Sequence, residues 1–101
     1  MIKHIVMWKL QNKTVTASAD ERAQELKRQL LALKDLVPSL RKIEVVFNDA
    51  AASTDNHDIA LITEFDDIAG LKEYVIHPEH VKVGSYVKAV TEARTCIDYA
   101  F

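Results

Sequence analysis

Apolar and polar residues alternate from the first positions of the chain. Over residues 3–10, His4, Val6, Trp8 and Leu10 fall on one face of a strand, and Ile5, Met7 and Lys9 on the other. A polar stretch, residues 11–16, leads to Ser18-Ala19-Asp20-Glu21, which has the form of a capping box. In that reading Ser18 accepts from a free backbone N–H while Glu21 reaches back to the cap. Ala23, Leu26, Leu30, Leu33 and Val37 then mark the stripe of an amphipathic helix, which Pro38 stops at or just before Val37.

Further along, Ile43, Val45 and Phe47 alternate with Glu44, Val46 and Asn48 in a second strand. A loop of small residues, 48–56, separates it from a third, in which Ile59, Leu61, Thr63 and Phe65 alternate with Ala60, Ile62 and Glu64. Asp66 is placed to cap a helix carrying Ile68, Leu71, Tyr74 and Val75 inward. Pro78 interrupts that helix, and residues 79–90 read as one or two helical pieces hinged near Gly84. Thr95, Ile97, Tyr99 and Phe101 alternate against Cys96, Asp98 and Ala100 in a closing fourth strand.

The order β-α-β-β-α-β predicts an α+β fold, an antiparallel sheet of ferredoxin-like topology with both helices on one face. Two helices cannot cover both sides of such a sheet. A solvated second face should be polar, yet Ile5 with Met7, Val46, Ala60 with Ile62, and Cys96 with Ala100 make it largely apolar. The simplest cover is the same face of a second copy, so a homodimer packed sheet against sheet is expected.

Composition narrows the function classes. With 101 residues the chain fits one domain, and 13 basic against 15 acidic groups leave a formal net charge of −2. That balance excludes bulk electrostatic binding to nucleic acid or an anionic membrane. Two glycines and two prolines are too few for a turn-rich β-sandwich or a disordered chain. No uninterrupted apolar run exceeds four residues, so no segment reads as membrane-spanning. The lone Cys96 allows no internal disulfide. The opening residues read as a strand and not as a signal peptide, and together these features give the expectation of a cytoplasmic protein.

The chemistry concentrates in Tyr74-Val75-Ile76-His77-Pro78-Glu79-His80. Tyr74 lies on the inward stripe of its helix, the bend at Pro78 lets His80 return toward the same cavity, and His4 sits on the apolar face of a central strand. A histidine exchanges protons near neutral pH, and a tyrosine donates to a carbonyl or developing enolate oxygen. The pair suits proton abstraction beside a carbonyl, with His80 as base, Tyr74 as donor and His4 orienting one of them or the ligand. Each residue also has a plainer role open to it: Tyr74 as ordinary core, His77 as a helix C-terminal cap, His4 satisfied by backbone. His77 and His80 are separated by a helix-breaking proline, and neither a cysteine nor an acidic residue has recognisable zinc spacing, so no metal and no cofactor are expected. Cys96 reads as a small core residue and not as a nucleophile.

On these residues the chain resembles the stress-responsive dimeric α/β-barrel (Dabb) family over essentially its whole length, residues 1–101. The resemblance rests on Ile2-Lys3-His4-Ile5-Val6-Met7-Trp8-Lys9-Leu10, on Tyr74 followed by His77-Pro78-Glu79-His80, and on the closing Asp98-Tyr99. The Tyr-x-x-His-Pro-x-His stretch is its most specific part. It implies a ferredoxin-like subunit whose two copies pack sheet against sheet. Many members are linked to stress responses, and a plant member cyclises a linear polyketide with a tyrosine and a histidine acting as a pair. The matching residues here are Tyr74 and His80, with His4 lining the same pocket. The expected site is therefore a small apolar pocket for a carbonyl compound, walled by Val6, Trp8, Leu26 and Leu71, with the bulk of Trp8 disfavouring a large aromatic polyketide. The competing expectation is a non-catalytic dimer whose role in stress is structural.

Overall fold

In the computed structural model, which describes residues 1–101, the chain forms β1 (Ile2–Leu10), α1 (Glu21–Leu36), β2 (Lys42–Phe47), β3 (Ile59–Phe65), α2 (Ile68–Ile76), α3 (Pro78–Val90) and β4 (Thr91–Ala100). The strands make one antiparallel sheet in the order β2-β3-β1-β4, which places β1 in the interior beside β3 and β4. With the helices, this is the ferredoxin-like arrangement expected from the element order. The helices cover the face that carries His4, Val6, Trp8 and Leu10 from β1, and Ile59, Leu61, Thr63 and Phe65 from β3. Ala23, Leu26, Leu30 and Leu33 of α1 close the core over them.

The helix ends correct two expectations. Asp20, and not the Ser18/Glu21 box, caps α1: its side chain accepts from the Arg22 N–H at 2.9 Å and is gripped by the Arg22 guanidinium. An aspartate caps as well as a serine, and here it also gains an ion pair. Likewise Asp67 caps α2, accepting from the Gly70 N–H at 2.8 Å, because Asp66 is drawn to the Arg41 guanidinium at 2.7 Å. His77 is the C-terminal cap of α2, as expected, its backbone N–H donating to the Tyr74 carbonyl at 3.2 Å, and its side chain also caps the start of α3, Nδ1 accepting from the Glu79 N–H at 3.1 Å with Pro78 in the first turn. Residues 78–90 then run as one helix without a hinge at Gly84. In α2 only Leu71 and Tyr74 are buried, whereas Ile68 and Val75 are exposed.

Pairing register decides what each face of β4 carries. Cys96 lies opposite Val6 and Asp98 opposite His4, so Cys96, Asp98 and Ala100 share the helix side. Ile97 lies opposite Ile5, Thr95 opposite Met7 and Tyr99 opposite Lys3, on the open side. The expected membership of Cys96 and Ala100 in the open face is therefore reversed. The correction makes that face more apolar: Ile5 sits between Ile62 and Ile97, and Met7 beside Ala60, with Val46 beyond. Ile97 is 59% exposed and Met7 37%, in a chain that has nothing of its own to cover them.

One buried carboxylate fixes the strand that bears the site. Asp58, 4% exposed, accepts from the Leu10 N–H at 2.8 Å and pairs with the Lys13 ammonium, while its own N–H donates to the Trp8 carbonyl at 2.8 Å. The end of β1 is thereby tied to the start of β3, and Trp8 with it.

Candidate functional site

His4, Tyr74 and His80 come from three elements and converge. The His4 backbone carbonyl accepts from the buried Thr63 hydroxyl at 3.1 Å, and its imidazole Nδ1 donates to the Asp98 carboxylate. Tyr74 is fully buried, its ring 5.1 Å from Phe65, 4.3 Å from His80 and 6.3 Å from His4 between centroids. His80, one turn into α3, donates from Nδ1 to the Val75 carbonyl at 3.0 Å. That bond spans the α2–α3 junction and leaves His80 Nε2 free as an acceptor.

A cavity of about 190 Å³ lies between the sheet and α3. His4, Val6 and Trp8 form its floor side, and Val83, Gly84 and His80 its α3 side. Nothing lies within 4 Å of a Cβ built on Gly84, so the absent side chain leaves the space open. The volume is below the roughly 300–1,000 Å³ of drug-sized sites, which restricts the occupant to a small molecule. Val6 and Trp8 thus stand where the sequence placed them. Leu26 and Leu71 do not line the cavity and belong to the closed core. Tyr74 also lies off the wall, in ring contact with His80.

Electrostatics favour neutral donors and a neutral base. Burial lowers the His80 pKa below the ordinary histidine value, a stronger influence than the Val75 carbonyl, which acts to raise it. The imidazole is therefore uncharged at neutral pH. Burial raises the Tyr74 phenol well above its ordinary value, so it remains a hydrogen-bond donor. Neither the Tyr74 hydroxyl nor the Trp8 indole N–H has an acceptor within the protein. Burial first, and the Asp98 carboxylate next, raise the Cys96 thiol pKa, which disfavours a nucleophilic thiolate.

Three charged contributors escaped the sequence reading. Lys88 and Arg94 line the cavity, and no acidic residue does. Asp98 engages His4 from across the sheet. The usable signal for Asp98 was its place two residues after Cys96 in a strand that closes against β1, but only the register makes it His4's partner.

Comparison with known proteins matches the stress responsive A/B barrel domain (Dabb) to residues 2–101. Among solved structures, a dimeric protein of unknown function with a ferredoxin-like fold from Bacteroides fragilis is 35% identical, with a TM-score of 0.86 over 99% of this chain and 95% of that one. A dimeric ferredoxin-like protein of unknown function from Thermobifida fusca is 22% identical, with a TM-score of 0.83 over 99% and 90% of the two chains. The hydroxynitrile lyase of Passiflora edulis shares the fold at 12% identity, with a TM-score of 0.80 over 97% and 90%. Curated protein sequences give no match. No helix is long and apolar enough to cross a membrane.

Proposed function

The chain belongs to the stress responsive A/B barrel (Dabb) family, and on that premise we propose that it is a homodimer in which each subunit binds a small carbonyl compound in the cavity beneath α3. The apolar open face of the sheet and the dimeric relatives from Bacteroides and Thermobifida support the assembly. The observation that carries the ligand class is a buried donor, the Trp8 indole N–H, without a protein acceptor in the lining of a cavity edged by a neutral histidine. Leaving a buried donor unsatisfied costs about 1–3 kcal/mol. A ligand oxygen supplies the missing acceptor.

In this reading the Trp8 indole N–H donates to the carbonyl oxygen, His80 Nε2 takes a proton from the adjacent carbon, and the buried Tyr74 ring packs against His80 and holds it in place. The negative charge that develops on oxygen is stabilised by that donor and by the positive field of Lys88 and Arg94. His4, held by Asp98, orients the ligand. Acid–base work of this kind needs no redox group.

Trp8 is the only tryptophan and lines the cavity, so its emission reports on occupancy. Titration with acetophenone, a single-ring ketone, is expected to change Trp8 fluorescence saturably, with at least tenfold weaker binding in His80→Ala. That loss corresponds to about 1.4 kcal/mol. Tyr74→Phe without ligand is expected to be about 1 kcal/mol more stable, because it removes a buried hydroxyl that has no partner. Absence of a saturable change, or unchanged affinity in His80→Ala, would overturn the ligand reading. It would leave a dimer whose role is structural.

A further inference from the structure

His4, Cys96 and Asp98 meet on the helix side of the sheet although they lie at opposite ends of the chain. Each offers one atom of a metal-ligand type, Nδ1, Sγ and a carboxylate oxygen, and these three atoms lie within 4.8 Å of one another. We propose that they form a binding site for a borderline-soft divalent cation of the zinc type.

Geometry supports the assignment donor by donor. Zn–S bonds of about 2.3 Å and Zn–N bonds of about 2.0–2.1 Å, at a tetrahedral angle, hold the two donor atoms about 3.5 Å apart. The Cys96 Sγ to His4 Nδ1 distance is 3.5 Å. Cys96 Sγ lies 3.8 Å from Asp98 Oδ1, close to the same requirement. Only the His4–Asp98 pair must open, since it is now joined by a hydrogen bond, and Asp98 lies on an edge strand with its side chain 41% exposed.

The backbone keeps the set together without the ion. Cys96 and Asp98 are two residues apart on β4 and so share a face, while His4 is opposite Asp98 in the register and is held through its carbonyl by Thr63. Entry of the ion releases the thiol proton to solvent and shifts the His4 proton from Nδ1 to Nε2, so two anionic donors and one neutral donor balance the dication. The neighbouring Arg94 then faces a neutral site. Three protein donors leave a fourth position for water or another ligand, the ligand count of catalytic and not of structural zinc sites. The site shares His4 with the cavity proposed above, but its test reads cobalt–thiolate absorption and not ketone binding, so the two readings fail separately.

Cobalt(II) is the probe, because a cobalt–thiolate bond gives an intense near-ultraviolet charge-transfer absorption. Titration of the reduced, purified protein with cobalt alone is expected to give that absorption at one ion per chain and to lose it when zinc is added. Cys96→Ser is expected to abolish the absorption, and Asp98→Asn to weaken binding at least tenfold, each with an unchanged far-ultraviolet circular dichroism spectrum. These variants spare the buried His4, so loss of fold does not confuse the result. Absence of the absorption would overturn the site. So would cobalt binding that persists equally in Cys96→Ser, which would place the ion on histidines elsewhere, such as His57 or His77.

Discussion

Ile97→Asp is expected to convert the protein to a monomer while leaving the subunit folded. Ile97 stands opposite the central-strand residue Ile5 on the open sheet face and is 59% exposed in the single chain. Within the subunit the substitution is a surface change, worth about 0.5 kcal/mol or less. In a sheet-to-sheet dimer it buries an unpaired charge, at a cost of about 3 kcal/mol or more, and two-fold symmetry applies that cost twice. About 6 kcal/mol weakens association by roughly 10⁴-fold. Light scattering across a dilution series should give a dimer for the native chain and a monomer for the variant. Met7→Glu and Val46→Glu, on the same face, should behave alike. Retention of the dimer in all three would put the interface elsewhere.

Phe65→Ala should have the largest effect on the subunit itself. Phe65 is fully buried at the end of β3, its ring 5.1 Å from that of Tyr74, which in turn packs on His80. Truncation of a buried phenylalanine costs about 3–5 kcal/mol. That is a large part of the roughly 5–15 kcal/mol expected of a small domain. The cavity would also free the Tyr74 ring, so acetophenone binding at Trp8 should weaken together with stability. Urea unfolding measures the first effect and Trp8 emission the second. A loss below about 1 kcal/mol would show that Phe65 does not support the core as described.

The fold was legible because its signals are local. Alternation in residues 3–10 and 59–65, and the stripe from Ala23 to Leu33, each depend only on which neighbours are apolar. The face assignment of β4 was not legible for the opposite reason. Both of its faces carry apolar and polar residues, and only pairing to β1 shows that the bulky Ile97 and Tyr99 point away from the helices while Cys96 and Asp98 point toward them. Putting large residues inside is a sound rule for a monomer. It reverses on a sheet that presents its large residues outward.

The same limit governs the site. Tyr74 and His80 were found because they lie close together in the sequence, and Pro78 announces the bend between them. His4 was placed on the correct face by simple alternation. Its partners Asp98 and Cys96 lie more than ninety residues away, and Lys88 and Arg94 reach the cavity only through the packing of α3 and the course of β4. Leu26 and Leu71 have the apolar character of a cavity wall, but α1 and α2 bury them completely enough to close them off. The cap residues Asp20 and Asp67 each had a neighbouring competitor, and an arginine decided between them in both cases.

The proposed chemistry rests on a neutral His80 with its proton on Nδ1 and its lone pair on Nε2 beside the cavity. Nitrogen-15 NMR of the imidazole rings reads both properties directly. Because burial lowers the His80 pKa, its titration should fall below the ordinary histidine value. As pH falls through that ordinary value, the unfolded chain takes up the proton before the folded one does, so this residue's contribution to stability declines toward acid pH. At pH 7 the ring is expected to be neutral and protonated at Nδ1, with the Nε2 resonance moving as acetophenone is added. An imidazolium, or a ring protonated at Nε2 that does not respond to the ketone, would contradict this chemistry.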